Sequence, residues 1–285
     1  MEKQEVYGII GNPVKHSLSP LIHNFLFEKY KINASYHLFE IQQNQLQQAI
    51  DGIRILRIKG INVTAPYKEK VIPYLDEIKS EAETIKTVNT IQNVKGKLIG
   101  YNTDIDGINK TIEDKLKFSP QGRTIVILGA GGAAKACVYA LLKYNPQEIL
   151  IFNRHLEKAR QFTKKFSRWS NYTTFGVYNL KDLQKLLTMK KIALIINATS
   201  GNNSLIKNTL TDILDTHSTK IKIFDLQYHS IQQDKVLSNK SNFVDGTHML
   251  VSQAIESFYI WTKIKPEFNT VLKLVCNCIR RGKYA

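Results

Sequence analysis

The stretch RTIVILGAGGAAKACVYALLKY, residues 123–144, decides the fold. Its apolar run 124–128 is short and β-branched like a buried strand; GAGGAA then breaks the run, and an Ala-rich, apolar-periodic segment follows. That order predicts strand, glycine turn, helix. The spacing fits G-x-G-x-x-A at Gly129, Gly131 and Ala134. In such a turn the first glycine permits a tight bend, the second lets a pyrophosphate approach the backbone, and the small third residue lets helix pack on strand. The helix N-terminus then offers free N–H groups and a partial positive charge to phosphates. A glycine turn that serves packing alone is the competing account of this motif.

The next strand separates the two accounts. EILIFN, residues 148–153, is expected to run parallel to the first, and its carboxyl end is where a NAD-binding unit places Asp or Glu for the ribose 2′-hydroxyl. Here Asn153, Arg154 and His155 stand instead. A carboxylate would repel a 2′-phosphate, whereas a guanidinium pairs with one through parallel hydrogen bonds. The expected cofactor is NADP.

Length and composition set the bounds around this unit. The chain has 285 residues, enough for one large or two ordinary domains, and is 43% hydrophobic and 22% charged, as soluble globular proteins are. A formal charge of +16 raises the question of nucleic acid. Lys and Arg are scattered, without a basic block or a basic-aromatic repeat, so the charge reads as solvated surface that attracts small anions, and no nucleic-acid partner is expected. Cys137, Cys276 and Cys278 form neither a disulfide framework nor a metal spacing, and no metal site is expected. MEKQEVYGII lacks the charge and long apolar core of a signal peptide. The most apolar window, 124–142, holds three glycines and Lys135, which argues against a membrane span; a cytoplasmic protein is expected.

Taken in order, 6–10 reads as a strand leading into GNPVKHSLSP, with Ser19 as a helix N-cap and Pro20 at the first helical position. Ser17 and Ser19 at a helix mouth could cradle a carboxylate. Strands are expected at 35–41 and 58–63, with an amphipathic helix at 44–55. Thr64 and Lys68 follow the latter strand, where Pro66 stops the ladder, and a lysine so placed is a candidate to give and take a proton. A helix at 76–86 precedes a hairpin of 88–92 and 97–101, which brings Asn89 and Thr90 beside Asn102, Thr103 and Asp104. Asp104 also precedes a helix at 105–116 and is expected to cap it. Strands at 175–178, 192–197 and 221–226 complete a parallel sheet, and helices at 249–262 and 266–280 close the chain.

Together GNPVKHSLSPLIHN, GINVTAPYK, VNTI, YNTD, GAGGAAKA, NR, NATS, DLQY and GTHMLVSQA, in this order, resemble the shikimate dehydrogenase family over nearly the whole chain. The resemblance implies an α/β fold: an N-terminal substrate domain of residues 1–104 with 247–285, and a Rossmann NADP domain of 105–246, the C-terminal helices returning to the first. It implies substrate-binding roles for Ser17, Ser19, Thr64, Asn89, Tyr228 and Gln253, and catalytic roles for Lys68 and Asp104. The cofactor would be held by Gly129, Ala130, Gly131, Gly132 and Ala133, by Asn153, Arg154 and His155, and by Leu226 and Gly246. The implied reaction is NADPH-dependent, reversible reduction of 3-dehydroshikimate to shikimate, on the route to aromatic amino acids, by a monomer or homodimer. Broader quinate and shikimate use, or a shikimate sensor without turnover, are the alternatives. Four places depart from the family pattern: Lys86-Thr87, His155, His248, and HSIQQ after Tyr228.

Overall fold

The computed structural model describes residues 4–200, 204–216, 221–228 and 241–281, without the side chains of 187, 188 and 205. The chain divides into two compact units, one running to Asp106 and resuming at Leu250, the other spanning Gly107–Met249.

The first unit begins with β1 (Glu5–Gly11), α1 (Ser19–Lys29), β2 (Ala34–Glu40), α2 (Leu46–Ile55) and β3 (Gly60–Val63). It continues with β4 (Glu77–Ile78), α3 (Ser80–Ile85), β5 (Thr90–Val94) and β6 (Lys97–Tyr101). Its sheet has the order β2-β1-β3-β5-β6-β4. β1 pairs in parallel with β2 and β3, which needs the helical crossovers α1 and α2, whereas β5 pairs antiparallel with β3 and β6. Ile50 and Ile53 of α2 pack on Ile61, Val63 and Ile91 of the sheet, each such side chain contributing about 1.5–3 kcal/mol by leaving water.

The helix α4 (Asp104–Lys110) carries the chain into the second unit. There follow β7 (Thr124–Leu128), α5 (Gly132–Leu142), β8 (Glu148–Asn153), α6 (Leu156–Phe166), β9 (Thr174–Asn179) and α7 (Leu183–Met189). Then come β10 (Ile192–Asn197), α8 (Ser204–Thr216), β11 (Lys222–Asp225) and β12 (Phe243–Val244). The sheet order is β12-β11-β10-β7-β8-β9, all parallel. Counted within the unit this is 3-2-1-4-5-6, the dinucleotide-binding order, with its switch point between β7 and β10. Two helices close the chain, α9 (Thr247–Thr262) and α10 (Phe268–Arg280). They return to the first unit, where Trp261 Nε1 donates to Ile91 O at 3.0 Å.

Several expectations need correction. Residues 76–86 are not one helix: Asp76 Oδ2 accepts from Leu98 N at 2.6 Å and Arg54 at 2.5 Å, so Glu77–Ile78 is drawn into the sheet beside β6. Only Ser80–Ile85 is helical, and it ends at Lys86 with φ +53°. The helix expected at 105–116 changes to a π-helical turn over Thr111–Lys115, where the Thr111 hydroxyl donates back to Gly107 O at 2.8 Å. Ser19 is a helical residue rather than the cap; its N–H donates to Ser17 Oγ at 3.2 Å. Asp104 likewise opens its helix, and Asn102 Oδ1 receives the Asp104 N–H at 3.1 Å. β12 is not foreseeable from the sequence, its two residues being too few to show a period. Residues 201–203 of NATSGNN, and HSIQQ at 229–233, lie outside the described residues.

An aromatic cluster joins α1 to α9. His23 is fully buried, stacked on Tyr36 with ring centroids 4.5 Å apart and 5.2 Å from Trp261. Among the described residues neither of its ring nitrogens has a hydrogen-bond partner, and burial pushes its pKa down to about 3. The unfolded chain takes up a proton at this residue near pH 6.5 and the folded chain does not, so stability present above pH 6.5 is lost as pH falls towards 3. His23→Phe is therefore expected to gain on the parent by about 1.4 kcal/mol per pH unit between pH 6 and 4. Urea unfolding across that range checks it; a constant difference would contradict the neutral, buried ring.

Candidate active site

In the first unit, the strand end of β3 and the hairpin β5–β6 converge. Lys68 lies five residues beyond β3, in the loop after it, and its backbone carbonyl accepts from Val88 N at 2.8 Å. Its ammonium meets Asp104 Oδ2 at 2.6 Å, with side chains 19% and 5% exposed, so the pair is sheltered yet reachable at the lysine. Asp104 Oδ1 accepts from Asn89 Nδ2 at 2.9 Å. The Asn89 amide has one possible orientation, because the Thr103 backbone N–H can only donate, and it meets Asn89 Oδ1 at 2.8 Å. The Nδ2 hydrogens must then face Asp104 and Thr103 Oγ1. Asn89 is thus turned inward, as a support for the carboxylate.

Thr64 is half-buried at the end of β3, and its carbonyl accepts from Tyr67 N at 2.9 Å. Ser17 and Ser19 lie at the mouth of α1 with hydroxyls 3.1 Å apart, Ser19 buried. Gln253 lies on α9 and donates through Nε2 to Leu250 O at 2.8 Å. All of these belong to the first unit; Tyr228 belongs to the second, half-buried, three residues after β11.

Behind Asn89 lies a network in which Thr90 is joined by Tyr36, Asn62 and Ser257, three residues that the sequence did not single out. Tyr36 donates to Asn62 Oδ1 at 2.7 Å, and Asn62 Nδ2 lies 3.0 Å from both Thr90 Oγ1 and Ser257 Oγ. Asn62 and Ser257 are 195 residues apart, and no local period or spacing could have joined them.

In the second unit the β7–α5 turn has the features a dinucleotide requires. Gly129 has φ +107°, and a Cβ there would lie 3.1 Å from Ala198 O across the switch point. A Cβ on Gly131 would meet nothing within 4 Å, leaving open space in front of the helix. The first backward bond of α5 comes from Lys135 N to Gly131 O at 3.0 Å, so the N–H groups of Gly132 and Ala133 precede the intrahelical ladder. Ala130 is buried beneath the turn. At the end of β8 Asn153 Nδ2 donates to His155 O at 2.9 Å, holding the bend, while Arg154 and His155 are exposed.

The ends of β10, β11 and β12 are tied to one another. Asp225 Oδ1 accepts from Asn197 Nδ2 and Gln227 N, each at 3.0 Å, and Gly246 N donates to Gln227 O at 3.2 Å. Asp245 accepts from the Thr247 N–H at 3.1 Å, and burial raises both aspartates to about 6. Burial lowers the His248 pKa to about 4, so its ring is neutral near neutral pH. Leu226 and Gly246 are in backbone contact here. Among the described residues there is no cluster that could hold a metal ion, and no helix long and apolar enough to cross a membrane.

A parallel sheet in dinucleotide order, a glycine turn open at a helix N-terminus, and a separate α/β unit carrying a lysine–aspartate pair define a two-domain α/β dehydrogenase. Comparison with known proteins makes the class specific. The sequence matches the "Shikimate dehydrogenase substrate binding domain" over residues 9–91, "Shikimate / quinate 5-dehydrogenase" over 111–235 and the "Shikimate 5'-dehydrogenase C-terminal domain" over 246–276. A shikimate dehydrogenase (NADP(+)) of Pyrococcus abyssi is 38% identical, covering 98% of this chain and 100% of its own. The crystal structure of shikimate dehydrogenase from Aquifex aeolicus is 33% identical with a TM-score of 0.80, covering 96% of this chain and 98% of its own. Shikimate 5-dehydrogenase from Listeria monocytogenes, solved with shikimate and NAD, is 26% identical with a TM-score of 0.81, over 96% of this chain and 97% of its own. The chain belongs to the shikimate dehydrogenase family.

Proposed function

We infer that the protein is an NADP-dependent shikimate dehydrogenase, interconverting 3-dehydroshikimate and shikimate on the way to aromatic amino acids. The observation that carries this is the Lys68–Asp104 pair at 2.6 Å, sheltered and supported from behind by Asn89. Reduction of a ring ketone leaves negative charge on its oxygen, which must be protonated as it forms. The Lys68 ammonium stabilises that oxygen and gives it a proton from Nζ; in the oxidative direction Nζ takes the proton back. Asp104 holds Nζ in place and accepts from a neighbouring ring hydroxyl. Ser17 and Ser19 bind the substrate carboxylate, and Thr64, Gln253 and Tyr228 its hydroxyl edge, while Asn89 acts through Asp104.

NADP, when bound, supplies or accepts the hydride. The open turn from Gly129 to Ala133 would hold its pyrophosphate, Asn153 and Arg154, with His155, its 2′-phosphate, and Leu226 and Gly246 would flank the nicotinamide. We assign substrate binding to the first unit and cofactor binding to the second. We further take the protein to be cytoplasmic, a monomer or homodimer, acting on a small molecule and not on nucleic acid; the scattered placement of its basic residues supports the last point.

The test is a set of initial rates for shikimate and quinate oxidation, each with NADP⁺ and NAD⁺. Preference for shikimate with NADP⁺ is expected. Comparable use of quinate would widen the assignment to a quinate/shikimate dehydrogenase, and shikimate binding without turnover in any pairing would make the protein a sensor. In the same assay Arg154→Ala is expected to raise the NADP⁺ KM about tenfold or more, the size of a lost charge-assisted pair, and to move the NAD⁺ KM less than about twofold. Equal effects on both would remove the role given to Arg154.

A further inference from the structure

The polar network behind the site reaches a fourth element, α9, through one hydroxyl. Ser257 is fully buried, and its Oγ–H donates to Gln253 O at 2.9 Å, one turn back on the same helix. A hydroxyl has one proton and also accepts, so Ser257 Oγ can receive the Asn62 amide while it shares hydroxyl protons with Thr90 and Thr103. Asn62 Nδ2 donates to it at 3.0 Å, and the hydroxyls of Thr90 and Thr103 lie 2.8 and 3.2 Å away. The Asn62 amide is oriented as firmly as that of Asn89: the Asn89 carbonyl, 3.2 Å away, can only accept, so Nδ2 faces it and Oδ1 faces the Tyr36 hydroxyl. The directions from the Tyr36 hydroxyl through the Asn62 amide to Ser257 Oγ therefore follow from the Asn89 carbonyl, a backbone group that cannot reverse. Buried networks of this kind specify one arrangement, because any slip leaves a desolvated polar atom without a partner.

We propose that Ser257 is a positioning residue for the substrate, setting the register of α9 so that Gln253 is presented beside the Asn89–Asp104–Lys68 cluster. The proposal rests on the shikimate reading above, and on Gln253 and Asp104 both touching the ring. Ser257 sits one turn beyond Gln253 and touches the same threonines, Thr90 and Thr103, that flank Asn89. Without its oxygen, Asn62 Nδ2 and the two threonine hydroxyls each lose a partner, and the polar ties that remain between α9 and β5, Trp261 Nε1 to Ile91 O and Gln92 Nε2 to Ile260 O, both at 3.0 Å, lie about two turns beyond Gln253. Val251, Ala254 and Phe258 of α9 are buried apolar side chains, which hold the helix down but do not specify its rotation as a directional bond does.

The experiment measures direct binding of shikimate and of NADP⁺ to the whole protein and to Ser257→Ala, with thermal melting recorded for each. Losing one buried oxygen is expected to weaken shikimate binding five- to tenfold, while NADP⁺ affinity stays within about twofold. A general loss of stability would not move one ligand and spare the other. Shikimate affinity within twofold of the parent, or both affinities falling together, would overturn the proposal. A parent protein that binds no shikimate would overturn the functional reading, and this proposal with it. A parent that binds shikimate only as tightly as Ser257→Ala does would overturn the positioning role alone. Because binding is read without turnover, a Lys68→Met variant that kept full activity would sink the proton-transfer assignment, and the affinity ratio would still decide the role of Ser257.

Discussion

Replacing Lys68 by methionine is expected to lower turnover of shikimate about a thousandfold while leaving its dissociation constant within a few fold. Methionine matches the lysine stem in length and apolar character but carries no proton and no charge. Positioned proton transfer contributes about 10²–10⁴ in rate, and stabilisation of the developing oxyanion is lost with it. Binding is spared because Asp104 keeps its bond from Asn89 at 2.9 Å, and Asn89 keeps its own from Thr103 N at 2.8 Å, so the carboxylate does not move when its lysine partner goes. The removal leaves the buried Asp104 carboxylate without its ammonium partner, and a clear loss of stability accompanies it, about 3–5 kcal/mol being the cost for a fully buried pair. Initial rates and direct shikimate binding on the purified variant decide the matter. Turnover at the parent rate would remove Lys68 from the chemistry.

The second large effect is steric. A Cβ on Gly246 would lie 2.1 Å from Leu226 O and 2.6 Å from Leu226 C, both backbone atoms that cannot rotate aside. To admit it, the segments after β11 and β12 must part, breaking the bond from Gly246 N to Gln227 O. Overpacking of this kind costs about 1–3 kcal/mol, and Gly246→Ala stands at the upper end because the clash is with main chain. A Tm lower by roughly 6–12 °C is expected, together with weaker NADP⁺ binding. Gly131→Ala is the control, since its Cβ would meet nothing within 4 Å. It should melt with the parent yet raise the NADP⁺ KM, because the space it fills is the space a pyrophosphate would take. A Gly246→Ala protein as stable as the parent would show that the two strand ends separate freely.

Three of the departures from the family pattern fall on described residues, and they differ in consequence. His248 is buried enough to stay neutral, so it adds bulk rather than charge beside Gly246. His155 is exposed, its carbonyl holding Asn153, and so its side chain leaves the bend after β8 undisturbed. Lys86 terminates α3 in the left-handed region at φ +53°, a place where glycine is at ease and lysine is strained. That strain lies two residues before Val88, which pairs with the Lys68 carbonyl.

The sequence by itself determined the strand–turn–helix at the centre of the second unit and the strands of its parallel sheet up to β11, because those signals are local. A β-branched run, a glycine turn and an Ala-rich period stand side by side in 123–144, and Arg154 follows at the next strand end. Period and turn chemistry act over a few residues, so they can be read over a few residues. Resemblance names Lys68 and Asp104, but nothing in a linear chain states that they meet at 2.6 Å. That was settled by β3 and the β5–β6 hairpin pairing edge to edge, which places two strand ends together. Tertiary structure also took Asp104 from the capping role expected of it, since its carboxylate is claimed by Lys68 and Asn89, while its own N–H donates to Asn102 Oδ1. It alone decided that 76–78 joins the sheet, through the carboxylate of Asp76. It alone brought Ser257 to Asn62, because a hydrogen bond needs partners within about 3 Å and is indifferent to how much chain lies between them.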